Sequence, residues 1–205
     1  MAKKRSSRRE RQAAATHQDI LMAARRLFAE HGYVATSMAA IAEEADTAVQ
    51  TIYDSVGPKR SIMLALVAMA EEEAGVGEFR DRLFQSRDPR AALALWVTMT
   101  RQFLDRSADI VGALQSAAAA EPDVAAAYAE AKRNHQMGAN WTGTLLERLG
   151  ALAPGLSAQR AGAIIALLTW GTTWQELLQD HGWSIDECEA WMTESLARLL
   201  LREDI

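Results

Sequence analysis

Gln50 has a side chain whose type suits recognition of a base edge, wherever it lies exposed on a helix. A glutamine amide carries a donor and an acceptor side by side, the pattern that pairs with the N6 and N7 edge of adenine in a DNA major groove. Beside it, Val49 and the Thr51 methyl suit apolar contact with a thymine methyl, and Ala48 completes a short run able to face the groove. Upstream, Thr36 with Ser37 stands where a helix start offers hydroxyls and free N–H groups to a phosphate. Further upstream, Lys3, Lys4, Arg5, Arg8, Arg9 and Arg11 face only Glu10. Such a cluster suits a polyanion or a solvated tail equally well.

These groups need short helices to hold them. Thr16 followed by Asp19 has the form of a capping box, and Ile20, Ala24, Leu27, Phe28 and His31 recur at helical spacing up to Gly32. The spacing predicts a first helix over 16–31. Thr36 is placed to cap a second, with Met38, Ile41, Ala42 and Ala45 as its buried stripe. A third follows at about 47–54, with Ile52 facing inward and Thr47 as its cap. Two short helices joined by about three residues behind a longer one have helix-turn-helix geometry. The same shape also serves helical hairpins that bind no DNA. The expected organisation is a basic, disordered arm over 1–15, a reader over 16–60 with its helix-turn-helix at about 37–56, and a helical body over 61–205.

The runs Thr36-Ser37-Met38-Ala39-Ala40-Ile41-Ala42-Glu43-Glu44-Ala45, Val49-Gln50-Thr51-Ile52-Tyr53 and Gly57-Pro58-Lys59-Arg60 resemble, in order, the DNA-binding domain of the tetracycline-repressor-like (TetR) family. Leu27-Phe28-Ala29-Glu30-His31-Gly32-Tyr33 matches the ending of that family's first helix. The resemblance covers roughly residues 16–65. It implies that Tyr53 and Lys59 contact phosphates, one through a hydroxyl and the other through a charge. Three positions depart from the family pattern: Asp46 replaces the usual turn glycine, Thr47-Ala48 replaces Val-Ser, and Asp54-Ser55-Val56 replaces an aromatic-rich ending. Asp tolerates left-handed backbone better than most residues, and Asp54 would repel a phosphate.

Charge divides the chain in the same place. Residues 1–60 hold ten Lys/Arg against seven Asp/Glu, net +3, and residues 61–205 hold twelve against twenty, net −8. The expected fold class is all-α, with about nine helices: a three-helix DNA-binding domain, then a helical domain for ligand binding and dimerisation. Body helices are expected near 59–74, 88–106, 108–120, 122–150, 157–181 and 184–202, punctuated by Pro89, Pro122 and Pro154-Gly155. Trp96, Met99, Phe103, Gln115, His135, Trp141, Trp170 and Trp174 are the candidates for an aromatic effector pocket. The same residues suit an ordinary helical core, and His135 is by default a satisfied core histidine. The last helices are apolar on more than one side, which calls for a neighbour. Ile165, Thr169, Thr172, Gln179, Cys188, Trp191, Met192, Ser195 and Leu199 are the candidates for a homodimer interface.

Other classes find little support. No G-x-S-x-G, Walker lysine loop, G-x-G-x-x-G or H-E-x-x-H occurs. His17, His31, His135 and His181 lack metal-ligand spacing, and Cys188 has no partner, so no enzyme, metal or cofactor is expected. The longest strongly apolar run, 161–170, is ten residues, half the roughly 20 that a membrane span needs. A lone cysteine and no secretory signal fit the cytoplasm. The expected partners are double-stranded DNA with a palindromic operator, a small-molecule effector of unstated identity and a second copy of the chain. The expected role is a repressor; the competing expectation is a helical small-molecule- or protein-binding module without DNA binding.

Overall fold

The computed structural model describes residues 8–119 and 121–205. The described residues are helical nearly throughout. The order is α1 (Arg8–His31), α2 (Met38–Glu44), α3 (Val49–Ser55), α4 (Lys59–Glu73), α5 (Val76–Gln85), α6 (Pro89–Ala118), α7 (Pro122–Arg148), α8 (Ala158–Thr169), α9 (Gly171–Gln175), a π-helical turn (Glu176–Asp180) and α10 (Ile185–Leu200). A single antiparallel bridge, Leu152 to Leu201, closes the end of α10 onto the loop after α7. None of the described helices is long and apolar enough to cross a membrane.

The chain forms two compact units. One takes residues up to Ala70 together with Ala108–Tyr128, and the other takes Glu71–Ser107 with Ala129–Ile205. The first unit buries Ile20, Leu21, Phe28, Ile41, Ile52, Ile62 and Leu66, and also Ile110, Leu114 and Val124. Arg25 reaches from α1 to Asp109 on α6 through two bonds of 2.7 and 3.0 Å. That pair is one tie between α1 and the part of α6 that belongs to the same unit. The second unit packs Leu93, Trp96, Val97, Leu146, Ile165, Trp174, Met192, Leu196 and Leu200 into one core.

Several local expectations change for physical reasons. α1 begins at Arg8, not Thr16. Ala13-Ala14-Ala15 are the strongest helix formers and carry the helix through, and the Thr16 hydroxyl donates to the Gln12 carbonyl at 3.1 Å instead of capping a helix end. So residues 8–15 of the expected arm are helical, and Lys3, Lys4 and Arg5 lie outside the described residues. α5 was not expected, because Gly75-Val76-Gly77 reads as a break; Val76, Phe79 and Leu83 nonetheless recur at helical spacing, and Leu83 is buried. The two helices expected over 88–106 and 108–120 are one helix kinked at Ser107 (φ −134°, ψ 18°), whose hydroxyl donates to the Phe103 carbonyl.

The single helix expected over 157–181 is interrupted at Trp170, whose backbone is extended (φ −68°, ψ 146°). Residues 169–173 hold three β-branched threonines and a glycine, all weak helix formers. α7 and α8 approach at backbone distance: a Cβ on Gly143 would lie 2.3 Å from the Ala158 carbonyl oxygen, and one on Gly162 would lie 2.4 Å from Asn140 Oδ1. Only glycine permits that crossing, and it fixes the register of α7 against α8.

Candidate nucleic-acid interface and ligand site

In the reader, α2 and α3 are about two turns each, too short to be stable alone. Their ends are held by specific bonds. Ser37 caps α2, its hydroxyl accepting from the Ala40 N–H at 3.0 Å. α2 then closes with the Asp46 N–H on the Glu43 carbonyl and the Thr47 N–H on the Ala42 carbonyl, with Asp46 at φ 47°. This is a Schellman ending with aspartate in the left-handed position usually given to glycine. Ala48, not Thr47, is the N-cap of α3, and it makes no side-chain bond. Ile52 anchors α3 in the core. His17 Nδ1 lies 3.2 Å from the Ser55 carbonyl and ties the end of α3 to α1. Arg26 donates to Glu44 and ties α2 to α1.

With Ile52 turned inward, Ala48, Val49 and Gln50 are exposed around the N-terminal turn of α3 and Thr51 is half-buried. Tyr53 is 48% exposed. Lys59 lies with its ammonium 4.2 Å from the centre of the Tyr33 ring and 3.4 Å from the Val34 carbonyl, to which it donates. Burial beside that ring lowers its pKa, and Glu121 partly offsets this. Thr36 differs from its expected placement. It is 3% exposed, and its hydroxyl faces the carbonyls of Gly32 (2.8 Å) and Leu27 (3.2 Å). Its side chain therefore holds the turn before α2, while Ser37 is the exposed hydroxyl there. The Gln50 amide donates from Nε2 to Asp54 Oδ1 at 2.9 Å.

In the second unit, two of the pocket candidates, Trp96 and His135, converge on Thr169, a residue expected at the dimer interface. Trp96 Nε1 donates to Thr169 Oγ1 at 2.9 Å, and the Thr169 hydroxyl in turn donates to the Ile165 carbonyl at 2.7 Å. His135 Nε2 lies 3.3 Å from both the Ala166 carbonyl and Thr169 Oγ1. Both are acceptors there, so Nε2 carries the ring proton. The imidazole sits between Trp96 and Trp170, with centroids at 5.3 and 5.2 Å. Burial drives its pKa down to about 4, against a smaller upward pull from the Ala166 carbonyl. The ring is neutral at physiological pH. Gly138 makes room for Trp96: a Cβ there would lie 2.8 Å from the indole.

The other candidates distribute differently. Met99 packs half-buried against the core on the helix of Trp96, and Phe103 follows it half-buried. Trp174 is fully buried, with no hydrogen-bond partner at Nε1. Trp141 points elsewhere; it pairs with Phe84 at 5.8 Å and is partly exposed. An open depression of about 670 Å³ shares Phe84 and is bounded by Arg87, Arg148 and Leu149. Gln115 belongs to the first unit, where its Nε2 is buried without a partner.

Of the interface candidates, Ile165, Thr169, Cys188 and Met192 are buried in this unit's own core. The helical stripe they define faces inward, and burial pushes the Cys188 thiol pKa up. Thr172, Gln179, Trp191 and Leu199 are exposed and Ser195 is half-buried. Leu167, 71% exposed, is the apolar residue on α8 that the sequence reading missed. Its neighbours on the outward stripe, Ala163 and Arg160, were the available signal.

Residues 20–66 match the family model for bacterial regulatory proteins of the TetR family. No curated protein matches the chain in sequence. Among solved structures, the chain is similar to NalD of Pseudomonas aeruginosa, the secondary repressor of the MexAB-OprM multidrug efflux pump (20% identity, TM-score 0.76, covering 94% of this chain and 99% of that one). It is also similar to the regulator FadR of Bacillus subtilis in complex with stearoyl-CoA (20%, 0.71, 89% and 98%). A Saccharomonospora viridis protein described as a transcriptional regulator, in complex with choline, is similar too (19%, 0.73, 93% and 100%). At these identities the structures establish the fold, and the family model establishes the reader. Residues 20–66 thus carry a helix-turn-helix reader of the TetR type, and the chain as a whole has the fold of these solved regulators.

Proposed function

We propose that the chain is a homodimeric repressor that leaves a palindromic operator when a small molecule binds its body. The observation that carries the reading is α3, anchored by the buried Ile52, with Ala48, Val49 and Gln50 exposed around its first turn and Thr51 half-buried beside them. Those four contact bases, while Ser37, Tyr53 and Lys59 contact phosphates. Two such readers about 34–36 Å apart address successive major grooves, which one short helix could not do tightly.

The dimer face takes the outward residues of the last helices: Leu167, Thr172, Gln179, Trp191, Ser195 and Leu199. Leu167 and Leu199 are large apolar side chains more than half exposed, which a partner helix would cover. Effector binding is supported by the Trp96–Thr169–His135–Trp170 cluster, an aromatic wall with a neutral polar centre. The similarity to structures that hold choline or stearoyl-CoA adds weight. Release requires the effector to favour one spacing of the readers over another.

Two measurements test this. Sedimentation of the wild-type chain gives a dimer, and Leu167→Glu with Leu199→Glu gives monomers. Titrating candidate small molecules against an operator-bound dimer finds one that releases DNA, and His135→Phe weakens that release. A small molecule that binds the body but leaves operator affinity unchanged would contradict the coupling.

A further inference from the structure

Asp54 has no place in the readings so far, and its position is unfavourable for them. It is exposed on the recognition helix, near the C-terminal end of α3, where a negative charge opposes both the helix dipole and any nearby phosphate. Its one side-chain bond is to the residue most suited to reading a base. Gln50 Nε2 donates to Asp54 Oδ1 at 2.9 Å, across the four-residue spacing that brings side chains together on a helix face.

We propose that Asp54 is a positioning residue that fixes the orientation of the Gln50 amide and thereby sets which base pair α3 accepts. An unheld glutamine amide can turn over, exchanging its oxygen and nitrogen, and so presents donor and acceptor in either order. An ionised carboxylate only accepts, so it selects the nitrogen. One Nε2 proton is then committed to Asp54. The other, beside Oε1, remains to form the donor–acceptor pair that matches the N7 and N6 edge of adenine. The order of that pair along the groove is fixed before DNA arrives. The carboxylate's repulsion of phosphates lowers affinity for every sequence and leaves selectivity to the oriented amide. This proposal rests on the DNA-reading role proposed for α3.

The test uses the full-length chain and the duplex it selects from random sequence. Affinities are measured for that duplex and for versions changed at each base pair, with wild type, Gln50→Ala, Asp54→Ala, Asp54→Asn and the double alanine variant. Wild type should discriminate about tenfold or more at the base pair read by Gln50, the size of one bidentate contact. Gln50→Ala and Asp54→Ala should each cut that to about twofold at the same pair, and the double variant should lose nothing further, since both act through one contact. Asp54→Asn, which offers a donor as well as an acceptor and so no longer selects the Gln50 nitrogen, should lose most of the discrimination as well. Both Asp54 variants should bind unrelated duplex more tightly than wild type.

Uniformly tighter binding by Asp54→Ala with discrimination intact would overturn the positioning role and leave Asp54 as a simple charge. Loss of discrimination at a different pair, persisting in Gln50→Ala, would overturn it in favour of direct reading by the carboxylate. Failure of the wild type to select any sequence would overturn the DNA-reading role and this proposal together. Selection with normal discrimination in Asp54→Ala overturns the positioning role alone.

Discussion

In the reader, α2 and α3 are placed by what happens at their ends: a serine cap, a left-handed aspartate, a histidine on a carbonyl. In the body, α7 and α8 are placed along their length, by backbone contact through Gly143 and Gly162. The polar side chains follow suit. Those of the reader's α3 edge face outward, whereas Trp96, Thr169 and His135 satisfy one another inside the second unit. A surface that must present groups to a duplex tolerates small, separable defects. A core that encloses polar groups does not. The two regions should therefore respond very differently to single changes.

The largest effect should come from the α7–α8 crossing. Gly143→Ala places a Cβ against a backbone carbonyl that cannot rotate away, so it should cost about 3 kcal/mol or more of stability, at the upper end for overpacking. Denaturant unfolding would read it. A near-neutral result would mean that α7 and α8 are not in backbone contact.

Acid is the next probe. His135 has a folded pKa of about 4 against 6.5 unfolded, because burial disfavours its charged form. The unfolded chain therefore binds the proton more readily. The stability that this histidine contributes is whole above pH 6.5 and is lost as pH falls from 6.5 towards 4, about 3 kcal/mol in all. His135→Gln should flatten that limb of the stability–pH curve. An unchanged acid limb would place the imidazole in water.

The reader's links to the rest of its unit are weaker. Burial alone would raise the Asp109 carboxyl, but the Arg25 guanidinium outweighs it and holds the group below its usual range. Arg25→Ala should cost roughly 1–2 kcal/mol at neutral pH, the lower part of the range for charge-assisted bonds. The deficit should close as pH falls and the wild-type carboxylate is protonated. At the small end, Asp46→Gly should stabilise the chain by about 0.5–1 kcal/mol, since glycine adopts φ 47° without the side-chain penalty. A loss of stability there would show that the Asp46 side chain does more than occupy the turn.

The reader was legible in the sequence because its signals are local and discrete. Gly32, Asp46, Ile52 and Pro58 each specify a turn or an anchor within a few residues, and their order matched a family. Thr36 was misread because two adjacent hydroxyls, Thr36 and Ser37, compete for one cap and only packing decides between them. In the body, helical spacing located most helices but not their inward faces. Ile165, Thr169, Cys188 and Met192 looked like an outer stripe, and only the tertiary contacts turned that stripe inward. The break at Trp170 was hidden because its flanking threonines are tolerated in helices elsewhere. The meeting of Trp96, His135 and Thr169 joins three helices and leaves no trace in any one of them.

The central claim is that α3 reads DNA from a scaffold of charge contacts. Its most direct test is the affinity of the purified full-length chain for its selected duplex and for unrelated duplex across a salt series. The account predicts affinity that falls steeply with salt on both, with a selected-over-unrelated ratio that persists, as phosphate contacts fade while base contacts remain. Replacing Tyr53 and Lys59 with alanine should weaken both duplexes together. Salt-independent binding, or a ratio near one at every salt concentration, would contradict it.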